Sequence, residues 1–252
     1  MIIVDDHAHI EEKWILKAYK SMNGFISTQE SSNVKYIIAQ SLNVETAKEV
    51  LELSKKYKII LPALGIYPDE NLNETLIEQE FSWIKQNIKS AVAIGEVGLD
   101  YSYENFDKNL QLKLFKEFIT LSKSTNIPLI IHSRKAERDV IEILIENDVK
   151  KAVLHCFSGN KKLIKKAQEK GFYFSIPTNI VKSQHFQMIV EMIDISRILT
   201  ETDAPFLSPY NNDEPNEPKN IIESLKVISK IKKMTIEETA NAIFQNFQRL
   251  YL

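Results

Sequence analysis

The fold of this chain is constrained most by a regular alternation of short apolar runs with longer amphipathic stretches. Eight runs rich in β-branched residues predict strands, at residues 2–5, 35–40, 59–64, 91–94, 129–131, 152–154, 172–176 and 197–199. Helical periodicity lies between and after them, at residues 43–57, 107–124, 136–149, 160–171, 183–194, 218–234 and 235–251. The first of these helices is predicted to begin at an Asn43 cap.

Strands that alternate with helices in this way are typical of an α/β protein with a parallel sheet. Eight strands within 252 residues favour a closed (β/α)8 TIM barrel, with an open doubly wound sheet as the alternative. We expect a single hydrolase-type domain over residues 1–252. A long irregular segment rich in Pro and Asn, residues 203–220, follows the eighth strand, and a barrel carries its chemistry on loops of this kind.

Composition excludes several classes of protein. The net charge of -2 leaves no global positive excess that would favour a non-specific polyanion binder. Cys156 is the single cysteine, so no intrachain disulfide can form, and a small buried thiol is expected there. Apolar runs much shorter than the about 20 residues of a membrane span, and a first strand with no basic leader before it, predict a cytoplasmic protein without a membrane partner.

The histidines are concentrated at one edge of the predicted sheet. Of five in the chain, four stand at or just beyond the carboxyl ends of predicted strands, and Glu96 and Asp203 occupy equivalent places on the fourth and eighth strands. The four are His7, His9, His132 and His155. If the strands close into a barrel, all six side chains meet on one face.

These residue types in this arrangement predict a two-metal hydrolase centre. Residues two apart in a strand point the same way, so Asp5, His7 and His9 should face one side. The two imidazoles would hold one ion, Glu96 would bridge to a second held by His132 and His155, and Asp203 would close the first site and orient the attacking water. Imidazole mixed with carboxylate favours Zn or Mn over Mg.

Longer motifs reinforce this interpretation. DDHAHI (5–10), AIGEVGLDY (93–101), PLIIHSRKA (128–136), LHCFSG (154–159) and LTETDAPFLSP (199–209) follow one another in the order and spacing of a known family. The chain resembles the TatD family of metal-dependent deoxyribonucleases, in the amidohydrolase-like barrel superfamily. NEP (216–218) and the terminal NFQRLY are further marks of the resemblance, which spans nearly the whole chain.

The resemblance implies a DNA phosphodiesterase, an exonuclease by type, with two divalent ions. It assigns all six residues as metal ligands by position, and Asp203 and Glu96 are the expected catalytic residues. The family is described as magnesium-dependent, so Zn, Mn and Mg all stay open. DNA is the expected partner, and no obligate protein partner is indicated.

Two substrate-binding residues are also expected. Arg134 follows His132 by two positions and matches phosphate with two parallel hydrogen bonds. Tyr67, in GIYP, replaces a histidine that the family often carries, and it offers a hydroxyl or a stacking ring instead. Phe206 and other aromatic residues of the same face are candidates for stacking on bases, whereas a lysine run at 161–166 is more typical of a solvated helix face.

Two other functions are compatible with the same residues. The barrel and its metal ligands would equally serve an ester or amide hydrolase, such as an aminoacyl-tRNA deacylase or a small-molecule amidohydrolase. A non-enzymatic binding scaffold is the second alternative, and the cost of burying charges without a use for them argues against it.

Overall fold

A computed structural model of the protein describes residues 1–210 and 214–252. Asn211, Asn212 and Asp213, within the predicted 203–220 loop, lie outside the described residues. Within these ranges the chain forms eight strands: β1 (Ile3–Ala8), β2 (Val34–Gln40), β3 (Ile60–Ala63), β4 (Ile94–Asp100), β5 (Leu129–Arg134), β6 (Ala152–His155), β7 (Tyr173–Pro177) and β8 (Ile198–Glu201).

The strands are parallel and follow chain order around the barrel. Hydrogen bonds join β1–β2–β3 and β4–β5–β6–β7–β8, and two single bridges connect these sheets, Ala63 to Ala93 and Ala8 to Ala204. At the second seam the Asp203 N–H donates to the His7 carbonyl at 2.9 Å, and the His9 N–H donates to the Ala204 carbonyl at 2.8 Å. The predicted (β/α)8 architecture is confirmed, and all the strand ends named above meet on one face.

Helices surround the strands. They are α1 (Glu12–Ala18), α2 (Met22–Ser31), α3 (Val44–Lys56), α4 (Glu74–Asn87), α5 (Lys108–Thr125), α6 (Glu137–Glu146), α7 (Lys161–Glu169), α8 (Gln184–Met192), α9 (Ile221–Lys232) and α10 (Ile236–Tyr251). The seven predicted helices are confirmed, and the Asn43 side chain accepts a hydrogen bond from the Thr46 N–H as the expected cap. The sequence prediction missed α1, α2 and α4. In α4 only Ile77 and Ile84 are buried, which leaves a weak apolar stripe.

The predicted fourth strand, at residues 91–94, was placed too early. It begins at Ile94 and continues to Asp100, pairing with β5 through Asp100 and Arg134. The glycines in this segment resemble strand breakers, but here they permit close packing. A Cβ at Gly98 would lie 2.0 Å from the His132 carbonyl oxygen, and φ there is +146°. The extension places Glu96 inside the strand.

The core is apolar and lies between strands and helices. Phe115, Phe118 and Phe174 are among its fully buried side chains. None of the helices within residues 1–210 and 214–252 is long and apolar enough to cross a bilayer.

Candidate metal centre

One group of donor atoms forms where β1 and the segment after β8 meet. The Nε2 atoms of His7 and His9 lie 3.4 Å apart. Asp203 Oδ1 is 3.6 Å from the first and 3.4 Å from the second. The ligand atoms of these three residues lie within 4.8 Å of one another, a spacing that a single cation can span.

A second group combines Glu96 of β4 with His132 of β5 and His155 of β6. Glu96 Oε1 lies 2.9 Å from His132 Nδ1 and 3.8 Å from His155 Nε2. The other oxygen of Glu96, Oε2, is 3.4 Å from His7 Nε2 and 3.6 Å from His9 Nε2. One carboxylate therefore faces both groups, one oxygen toward each.

The structure thus brings all six predicted ligand residues to one place, but Asp5 does not join them. Its carboxylate turns to Thr202, which donates from both its backbone and its side chain. A register shift between Asp5 and Ala8 in the β1–β2 pairing breaks the strict two-residue alternation on which the sequence prediction rested.

Burial and charge act against each other in this cluster. Burial raises the pKa of Glu96, but the charge of His7 and the hydrogen bond from His132 outweigh it, so this pKa lies well below its ordinary value. Burial lowers the pKa of His155, yet the nearby Glu201 carboxylate raises it to about 10. Against the effect of burial, the hydrogen bond to Asp100 also raises the pKa of His132, whereas burial lowers the pKa of His7. His132 and His155 are therefore the imidazoles best able to balance the charge of Glu96.

Two carboxylates that the sequence analysis missed orient His155 and His132. The His155 Nδ1–H donates to Glu201 Oε2 at 2.8 Å, and the His132 Nε2–H donates to Asp100 Oδ2 at 2.9 Å. Each bond orients its ring so that the opposite nitrogen, nearest Glu96, can act as a lone-pair donor to a metal once that nitrogen has lost its proton. The spacing of Glu201 could have identified it, because it precedes Asp203 by two positions and alternate residues of a strand face the same side.

An open cavity of about 490 Å³ leads to the cluster. It is lined by predicted metal ligands, by apolar side chains and by both predicted substrate residues, Arg134 and Tyr67. Arg134 lies at the rim with its side chain 63% exposed, 4.0 Å from Asp100 Oδ2. The Tyr67 hydroxyl donates to Asp100 Oδ2 at 2.9 Å and lies 3.2 Å from His132 Nε2. The cavity is therefore lined by an exposed guanidinium and by a phenol ring.

The other residues of this face divide between mouth and interior. Phe206 lines the cavity, is 60% exposed and stands edge-to-face with His9. Phe157, in contrast, is buried against Phe174. Burial and Glu201 raise the pKa of the Cys156 thiol well above its usual value, which disfavours the thiolate that a nucleophile needs.

Comparison with known proteins identifies the family of this chain. The family model described as TatD related DNase matches residues 4–252. The chain belongs to the TatD family. An uncharacterized metal-dependent hydrolase of Methanocaldococcus jannaschii is 34% identical over 244 residues, which cover 96% of this chain and 94% of the relative. The human deoxyribonuclease TATDN3 is 30% identical, with 99% of this chain and 94% of that protein covered.

Solved structures agree on the architecture. The TatD homologue YJJV from Escherichia coli superposes with a TM-score of 0.89 at 23% identity, covering 99% of this chain and 97% of that one. Likeness at this identity supports the barrel fold. The family match and the relatives in sequence make this chain a metal-dependent hydrolase.

The donor set fits divalent cations. Both groups present imidazole and carboxylate donors, and their members are buried except for Asp203, which keeps partial access to the cavity. Among the residues that the structure describes, Nδ1 of His7 and Nδ1 of His9 have no hydrogen-bond partner, whereas the Nε2 atoms converge on Glu96 and Asp203. Carboxylate oxygens together with imidazole nitrogens are usual ligands of Zn and Mn.

Proposed function

We propose that this chain hydrolyses DNA phosphodiester bonds, from a strand end, with two divalent ions held by the six predicted residues. The observation that carries the proposal is the orientation of Glu96, whose two oxygens face two separate histidine groups at 2.9–3.8 Å. A carboxylate in that position is suited to bridge two cations. The first would be held by His7, His9 and Asp203, and the second by His132 and His155.

The ions, when bound, would stabilise the charge of an in-line displacement at phosphorus and make a water nucleophilic near neutral pH. The protein contributes the remaining steps. Asp203 is the proposed base that takes the proton of the attacking water. It lies at the cavity floor with its side chain 17% exposed. Burial raises its pKa, but the hydrogen bond from His9 and the charge of His155 lower it overall, so the carboxylate is ionised and able to accept a proton.

Arg134 and Tyr67 are the proposed substrate contacts. The exposed guanidinium can grip a non-bridging phosphate oxygen pair. The Tyr67 hydroxyl is occupied by Asp100, so its contribution to binding would come from the ring that lines the cavity. The two residues would orient the scissile phosphate above the metal-type donors.

DNA as the substrate is supported by the description of the matching family model and by the name of the human relative. Cleavage from a strand end is supported by the shape of the site. The proposed ligands lie at the floor of a cavity of about 490 Å³, within the size range of small-molecule pockets. A terminal nucleotide can enter such a cavity, whereas an internal phosphate of a duplex would have to bring both neighbours with it.

The proposal is tested with protein stripped of metal and reloaded separately with Zn, Mn or Mg. Single-stranded DNA, duplex DNA and a p-nitrophenyl ester are assayed in parallel, each with a chelator control. We expect metal-dependent shortening of single-stranded DNA from one end. Asp203→Asn and Glu96→Gln should abolish it, while Asp148→Asn, at an exposed site paired with Lys150, should not.

Two results would overturn the proposal. Cleavage of the ester without cleavage of DNA would favour the ester or amide hydrolase alternative. Undiminished DNA cleavage by folded Asp203→Asn would exclude this carboxylate as the base.

A further inference from the structure

Asp5 is a buried carboxylate that the hydrolytic centre does not use. Its side chain is fully buried, and it accepts three hydrogen bonds. Thr202 donates twice, from the backbone N–H at 2.9 Å to Oδ1 and from the hydroxyl at 2.5 Å to Oδ2. The third donor is the His7 N–H at 3.2 Å. Every donor thus belongs to a proposed ligand residue or to the neighbour of one.

Thr202 links this carboxylate to Asp203. Its hydroxyl oxygen also accepts a hydrogen bond from the Ala204 N–H at 3.1 Å. Backbone bonds on either side complete the connection to β1, from the Asp203 N–H to the His7 carbonyl and from the His9 N–H to the Ala204 carbonyl. The segment that carries Asp203 is therefore held to the strand that carries the two histidines.

The backbone at Asp203 needs such support. Its φ is +55°, in the left-handed region that residues other than glycine seldom adopt. A residue in this region keeps its conformation only when the surrounding structure holds it there. The bonds to Asp5 act at Thr202, one residue before Asp203. The Thr202 hydroxyl in turn accepts from the Ala204 N–H, one residue after Asp203.

We propose that Asp5 and Thr202 are positioning residues that fix the Asp203 carboxylate against His7 and His9. The inference rests on the proposed function, because it assigns Asp203 the double role of ligand and base. Without the Thr202 hydroxyl, Asp203 would sample positions in which its oxygen no longer lies 3.4–3.6 Å from the two Nε2 atoms. The backbone bonds between Asp203 and His7 and between His9 and Ala204 do not involve this hydroxyl, so we expect the barrel to stay closed without it.

The chain provides a matched control at the same seam. The buried hydroxyl of Thr200 donates to the Val4 carbonyl at 3.1 Å, so it also joins β8 to β1. It makes no hydrogen bond to residues 202–204 in the described structure. Thr200→Val removes a buried threonine hydroxyl from β8, and Thr202→Val removes one from the residue that follows this strand, but only Thr202→Val releases Asp203.

The experiment compares both variants with Thr202→Ser in thermal unfolding, in chelator competition for Zn or Mn, and in steady-state cleavage of single-stranded DNA. For Thr202→Val we expect at least a tenfold loss of metal affinity and of kcat, with KM within twofold of the unaltered protein. Thr200→Val should lower the unfolding temperature by a smaller amount, because its hydroxyl makes one bond to a neutral carbonyl, and should leave affinity and kcat unchanged. Thr202→Ser keeps the hydroxyl, so its metal affinity and kcat should match those of the unaltered protein.

Equal effects of the two valine variants on metal affinity and kcat would overturn the inference, because they would mark a purely structural role. If Thr202→Val fails to fold, Asp5→Asn provides the same test, since its amide would face the Thr202 donors. Metal affinity is measured without DNA. A chain that does not cleave DNA therefore refutes the proposed function, while the affinity difference still decides the positioning role.

Discussion

Substitution of Glu201 by glutamine tests the metal centre through a residue that does not contact the cavity. Glu201 is fully buried, and its two oxygens each accept one bond. Oε2 accepts from His155 Nδ1–H at 2.8 Å, and Oε1 accepts from the Cys156 N–H at 3.0 Å. A carboxylate satisfies two donors, but an amide presents only one oxygen.

The glutamine can be placed in two ways, and both are costly. If its NH2 group faces the Cys156 N–H, two buried donors oppose each other, which costs about 1–3 kcal/mol. If the NH2 group faces His155, it forces Nδ1 to accept, and the ring proton moves to Nε2, the atom nearest Glu96. Loss of such an outer contact weakens metal affinity or activity by about 10–100-fold. A 10–100-fold loss corresponds to about 1.4–2.8 kcal/mol, which is similar to the cost of opposing two buried donors in the first placement.

The assay is chelator competition with metal-free protein, with circular dichroism to verify the fold and kcat on single-stranded DNA as a second measure. Glu217→Gln is the matched control, because Glu217 Oε2 accepts bonds from the side chains of Tyr19 and Gln29 away from the ligand cluster. We expect a 10–100-fold loss for Glu201→Gln and none for the control. Folded Glu201→Gln with unaltered affinity would refute the assignment of His155 as a ligand oriented by Glu201.

Three further outcomes are expected. Burial lowers the pKa of His155, but Glu201 raises it to about 10, so a metal must displace a proton from this imidazole at neutral pH. Metal affinity should therefore rise between pH 6 and 9. An affinity that does not change with pH in chelator competition would contradict this. Metal at about 100 times its Kd should stabilise the fold by about 2.7 kcal/mol in thermal unfolding, and no shift would indicate that the folded state has no such site. Phe206→Ala should raise KM for single-stranded DNA about tenfold, since stacking of a base on this exposed ring contributes about 1–3 kcal/mol. KM for methyl p-nitrophenyl phosphate, which carries no base, should stay constant. Equal changes in KM for both substrates would exclude stacking.

Several features of this protein could be predicted because they depend on near neighbours in the chain. The Asn43 cap and helices α3 and α10 follow from side-chain bonds and periodicities within a few residues. The edge that carries the histidines follows from the same local rule, since parallel strands align their carboxyl ends.

Local rules failed where a contact across the barrel decided the outcome. Gly98 in β4 looks like a break until its close packing on His132 is seen. The sequence predicts that Tyr67 offers the substrate either its hydroxyl or its ring, but the hydroxyl is bonded to Asp100, which is 33 residues away. Neither contact leaves a trace in the residues immediately around it.

The sequence by itself determined the alternation of strands and helices, the donor types and the edge on which they stand. Tertiary structure decided that Glu96 divides its oxygens between two histidine groups, that Glu201 and Asp100 orient the outer imidazoles, and that Asp5 supports Asp203 instead of joining the cluster. The physical reason is barrel closure. Joining β1 to β8 brings Asp5 within 2.5 Å of a hydroxyl that is 197 residues away, and no periodicity within a segment encodes that distance.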